Sequence, residues 1–78
     1  MARVANFFEL EMDDPRLHPT AVECGVKSFE IGDDTFLQLS TFGSSDRKGS
    51  GVSQTLQLDV TAAAYLMGVL RRTFPQIQ

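Results

Sequence analysis

The chain has 78 residues, 42% of them hydrophobic and 22% charged, with a formal net charge of −3. That length holds one small domain, spanning 1–78, and excludes a second; the composition excludes a disordered tail. No apolar run approaches the roughly 18 residues of a membrane-spanning helix, so no membrane partner is expected.

Residues 4–12 alternate, with Phe8, Leu10 and Met12 on one parity and Phe7, Glu9 and Glu11 on the other. This two-residue period predicts a first strand with one wet face. Asp13-Asp14-Pro15 ends it, because proline lacks an amide donor and restricts the residue before it. Residues 13–20 then read as a loop containing Pro15 and Pro19. From 21 to 31 the pattern is again strand-like, but Val22, Cys24 and Val26 share one parity while Phe29 and Ile31 share the other. One bulged strand with an extra residue near Gly25, or two short strands, would give that slip. Gly32-Asp33-Asp34 is a turn signal, and the strand pattern resumes at Thr35–Phe42, which predicts a β-hairpin over 26–42.

Residues 43–51 (GSSDRKGSG) contain no apolar side chain and read as a flexible loop. A fourth strand follows at Val52–Leu58. The last element is a helix that Asp59 or Thr61 can cap, since either side chain accepts from the free amides of a first turn. Ala63, Leu66, Met67, Leu70 and Phe74 trace its apolar stripe. Arg71 and Arg72 suit its last turn, and Pro75 ends it. The expected fold is therefore α+β: an antiparallel four-stranded sheet, with either a bulge or a break over residues 21–31, and one C-terminal helix packed on one face, in the order β-β-β-β-α. A single helix leaves much of such a sheet uncovered, which predicts a homodimer.

Chemistry-bearing residues are sparse. Cys24 lies between Val22 and Val26, as a packed strand cysteine does. A lone cysteine staples nothing, and with no signal-peptide-like apolar stretch at the start it points to a reducing, cytoplasmic setting. His18 sits beside Pro19 in a loop, and neither residue has a partner at an activating spacing. One cysteine and one histidine do not make a zinc site, and the adjacent pairs Asp13-Asp14 and Asp33-Asp34 lack the alternating spacing of a calcium loop. Lys48-Gly49-Ser50-Gly51 has the wrong order for a phosphate-binding P-loop. No enzyme, no metal and no cofactor is expected.

Charge is unevenly distributed. Residues 1–46 carry nine acids against three bases, whereas 47–78 carry Arg47, Lys48, Arg71 and Arg72 against Asp59 alone. An acidic patch of Glu9, Glu11, Asp13, Asp14, Asp33 and Asp34 would suit a basic groove on a protein or nucleoprotein partner. The leading expectation is accordingly a non-enzymatic inhibitor or modulator, for example a phage-encoded inhibitor of the anti-CRISPR type. The alternative is a homodimer that binds single-stranded DNA through Phe42, Arg47, Lys48 and strand aromatics, by phosphate pairing and base stacking.

Over residues 36–74 the order of features resembles the single-stranded-DNA-binding transcriptional positive coactivator family. The matching residues are Phe42, Arg47, Lys48, Gly49, Gly51, Leu56, Leu66 and Leu70: a strand, an aromatic, a basic glycine-containing loop, a strand with a leucine, then an amphipathic helix. The resemblance implies a β-β-β-β-α fold, dimerisation through the helix and DNA bound across the sheet. The acid-rich first strands depart from that family's basic binding face.

Overall fold

The computed structural model describes residues 1–43 and 51–77. Its elements are β1 (Ala2–Arg3), β2 (Cys24–Ile31), β3 (Asp34–Phe42), β4 (Val52–Leu58) and α1 (Val60–Thr73), and the sheet order is β1-β4-β3-β2. The class is α+β with one C-terminal helix, as the sequence predicts. The predicted loop at 43–51 falls mostly on residues 44–50, which lie outside the described residues.

The hairpin forms where turn chemistry demands it. Ile31 pairs with Asp34 around Gly32 and Asp33, and Gly32 adopts a φ of +63°, whereas no non-glycine residue among the described residues has positive φ. A glycine of that sign at the first central position fits the type II′ turn, whose twist matches the flanking strands. β2 and β3 then pair without interruption from Phe29↔Phe36 to Cys24↔Thr41. The expected bulge near Gly25 is therefore absent, and so are two short strands. The parity slip has another cause: Val22 precedes the strand, and β2 carries apolar side chains on one face at its start and on the other at its end. The irregularity lies instead between β3 and β4, where Thr41 pairs with Gln54 but Phe42 with Val52.

The sheet is mixed rather than wholly antiparallel. β1 runs parallel to β4, with Ala2↔Leu56 and Arg3↔Gln57 paired and the Val4 amide donating to the Gln57 carbonyl at 2.9 Å. The alternating stretch 4–12 forms no strand beyond this short edge. It follows α1 instead: the Phe7 ring stacks on Tyr65 at 5.3 Å, and Glu9 reaches Arg72 at 3.9 Å. Its alternation is satisfied by a helix on one side, a long-range outcome that a two-residue period does not reveal.

Asp59 is the cap that forms: its Oδ1 accepts from the Ala62 amide at 2.9 Å, and Arg71 and Arg72 occupy the last turn. The buried apolar side chains among the described residues are Leu58 and Ala62, on either side of this β4–α1 corner. Ala63, Leu66, Val69 and Leu70 are half-buried, whereas Met67 and Phe74 are exposed. The inner stripe is thus rotated toward Ala62 and Val69 from the predicted one.

Candidate functional site

Paired residues on neighbouring strands share a face, so the register sorts the sheet into two surfaces. One is a leucine side, carrying Leu37, Leu39, Leu56 and Leu58, with Val26 and Cys24 from β2. The other carries Gly25, Lys27, Phe29 and Ile31 from β2, Phe36, Gln38, Ser40 and Phe42 from β3, Thr55 and Gln57 from β4, and Arg3 from β1.

On this second surface one row crosses all four strands: Arg3, Gln57, Gln38, Lys27. Four strands at roughly 4.8 Å spacing put the two cations about 14 Å apart, with the two amides between them. The amides are tied together. Gln57 Nε2 donates to Gln38 Oε1 at 2.9 Å, Gln38 Nε2 donates to Ser40 Oγ at 3.1 Å, and the Ser40 and Thr55 hydroxyls share a hydrogen bond of 2.8 Å. Ser40 and Thr55 are buried, and their mutual bond satisfies hydroxyls that would otherwise be costly to desolvate.

Aromatic rings border this polar row. Phe29 and Phe36 stack across the β2–β3 pair with centroids 5.7 Å apart. Phe42 lies over Gly25, where a Cβ would meet its ring at 3.5 Å. An open cavity of about 420 Å³ borders Phe42, lined also by His18, Thr20, Val22 and Gln54. In it the Thr20 amide donates to His18 Nδ1 at 3.1 Å.

Most of the described acids fall elsewhere. Glu30 pairs with Thr35 and so projects from the leucine side, whereas Asp34 stands at the hairpin margin of the polar surface and Glu23, whose carbonyl accepts from the Phe42 amide at 3.1 Å, continues the β2 parity onto its opposite end. Of the residues predicted as an acidic patch, Glu9, Glu11, Asp13 and Asp14 lie on the segment before β2. Glu9 faces Arg72 and Asp14 faces Arg16 at 3.7 Å. Asp33 and Asp34 sit at the hairpin tip, beyond the Leu37↔Leu58 pair and hence at the end where α1 begins. Glu9 lies where α1 finishes, so the structure does not bring the two acidic groups to one place. Of the predicted nucleic-acid residues, Phe42 lies on the polar surface, and Arg47 and Lys48 lie outside the described residues.

Sequence reasoning missed Arg3, Lys27, Phe29, Phe36, Gln38, Ser40, Thr55 and Gln57 as one surface. The signal was partly present, because Lys27 and Phe29 share a parity, as do Gln38, Ser40 and Phe42. What joins the strands' shares is the β1-β4-β3-β2 order, which places Arg3 and Lys27 in a single row.

Among the described residues no three His, Cys, Asp or Glu side chains cluster to hold a metal ion, and no helix is long and apolar enough to cross a membrane. No protein-family model matches the chain, and neither a curated protein nor a solved structure does.

Proposed function

We propose that the chain is a non-enzymatic binding protein whose ligand is single-stranded nucleic acid, held on the polar face of the sheet. One observation carries this reading: Arg3 and Lys27 flank a Gln57–Gln38 pair, phenylalanines border the row, and the described carboxylates on the strands of that face, Asp34 and Glu23, stand at its two ends. The cations attract phosphates, and the side-chain amides offer donors and acceptors to base edges. The rings supply stacking surfaces that tolerate any base. Phe42 lies on this face, and the sequence that follows it carries two further cations, Arg47 and Lys48. The net negative charge then lies on the remaining surfaces, where it discourages polyanions from binding elsewhere.

A second reading keeps the acids as the working groups. Asp33 and Asp34 stand together at an exposed hairpin tip, a shape suited to a basic groove of a protein or nucleoprotein partner, which the chain would inhibit or modulate.

A fluorescence-anisotropy titration of a labelled single-stranded oligonucleotide at several salt concentrations tests the first reading. For single strands the slope of log K against log salt changes by about 0.7 per phosphate contact, so Arg3→Gln with Lys27→Gln flattens it by about 1.4. Absence of binding at low salt, or a slope unchanged by both substitutions, rejects it. Binding to a basic protein that is lost on charge reversal at Asp33 and Asp34 would establish the second.

A further inference from the structure

The chain on its own has too little interior. It exposes 6977 Å², whereas a compact monomer of its mass, 8.6 kDa, exposes about 4,700 Å². Its radius of gyration is 14.7 Å, against about 11.5 Å for a compact chain of its length. Two groups of exposed apolar side chains are spatially defined. On the segment 4–12, which runs beside α1, Phe7 and Glu9 face the chain's own helix, while Phe8, Leu10 and Met12 are exposed by 76, 63 and 57%. On the leucine side of the sheet, Val26 and Leu56 are exposed by 69 and 47% and both pair with Leu39 in the strand between them.

From these two patches we infer that a second copy of the chain covers both, the outer side of residues 8–12 from one protomer packing on the Val26–Leu56 surface of its partner, and the reverse across a two-fold axis. The area fits. If each protomer buries half of its surplus of about 2,300 Å², the interface totals about 2,300 Å², within the range of obligate homodimers. The chemistry fits as well. A segment of period two that lays Phe8, Leu10 and Met12 on an apolar sheet leaves Glu9 and Glu11 on its other side, against Arg72 and water. A two-fold axis lets two unlike patches satisfy each other reciprocally without opening a filament. This interface uses the side of the sheet opposite the polar face, so it stands or falls independently of nucleic-acid binding.

Analytical ultracentrifugation of the purified chain alone tests it. The expected result is a dimer whose dissociation constant rises at least a hundredfold, an order-of-magnitude figure, when Phe8→Asn and Leu10→Asn remove two buried apolar groups. Val26→Asn with Leu56→Asn acts on the facing patch and gives a rise of the same order. The first pair of substitutions falls on exposed side chains outside regular structure, so circular dichroism keeps the wild-type spectrum. A wild-type chain that sediments as a monomer at all attainable concentrations overturns the inference. A Phe8/Leu10 variant that dimerises as tightly as the wild type overturns it too.

Discussion

Truncating Leu58 probes the apolar interior at the β4–α1 corner. The side chain is 3% exposed and lies opposite Leu37, next to the Asp59 cap and four residues before Ala62, which is also buried. Leu58→Ala removes most of an apolar side chain and leaves a cavity whose lining includes the backbone turning into α1, which the cap holds in place. Buried Leu→Ala changes cost about 2.7–5 kcal/mol, and about 3 is expected where part of the surroundings can relax. A domain of this length has about 4–12 kcal/mol of stability in total, so the loss is a large fraction of it. In urea, with an m value of about 1 kcal/mol/M for so small a chain, the midpoint falls by about 3 M or the transition disappears. Leu66 and Leu70 are half-buried, so each Ala substitution there costs about half as much. The measurement is made at constant protein concentration, because association shifts the midpoint. A cost below about 1 kcal/mol for Leu58→Ala, or a larger one for Leu66→Ala, would refute the placement of the core at the β4–α1 corner.

Three further substitutions test local features by the same unfolding assay. Gly32→Ala meets no neighbour within 4 Å but must hold a φ of +63°; it costs about 1–2 kcal/mol from backbone strain alone, and a neutral result would contradict the hairpin geometry. Asp59→Ala frees the Ala62 amide and costs about 1 kcal/mol, with Asn in its place recovering most of that. Ser40→Ala takes away a hydroxyl bonded to both Gln38 and the buried Thr55, and costs about 1–3 kcal/mol. Thr55→Val in the Ser40→Ala background then restores part of the loss, because no buried hydroxyl is left without a partner.

What the sequence made legible was local. A glycine at a turn, an aspartate before a helical stripe and a proline after it sufficed for the β2–β3 hairpin and for α1, because each feature acts over a few residues. Residues 4–12 misled for the opposite reason. Their alternation is real, yet its wet and dry sides are set by Tyr65 and Arg72, some sixty residues away, so no strand partner is needed. The same long-range dependence hid the polar face. Lys27, Gln38 and Gln57 are ordinary strand residues one at a time, and they form a row with Arg3 only because β1 lies beside β4 rather than beside β2. Phe42 stood out because it closes a strand before a basic segment, and the register puts it on the polar face, whereas the acids at 9–14 and 33–34 looked like one patch although Glu9 and the hairpin tip lie toward opposite ends of α1.

Residue-resolved amide shifts, recorded by NMR as a short single-stranded oligonucleotide is added at low salt, test the central claim most directly. The account predicts that the largest changes fall on Arg3, Lys27, Phe29, Phe36, Gln38 and Gln57, with Val26, Leu39 and Leu56 on the other side of the sheet little affected. Changes confined to residues 9–14 and the Asp33–Asp34 tip, or no changes at all, would contradict it.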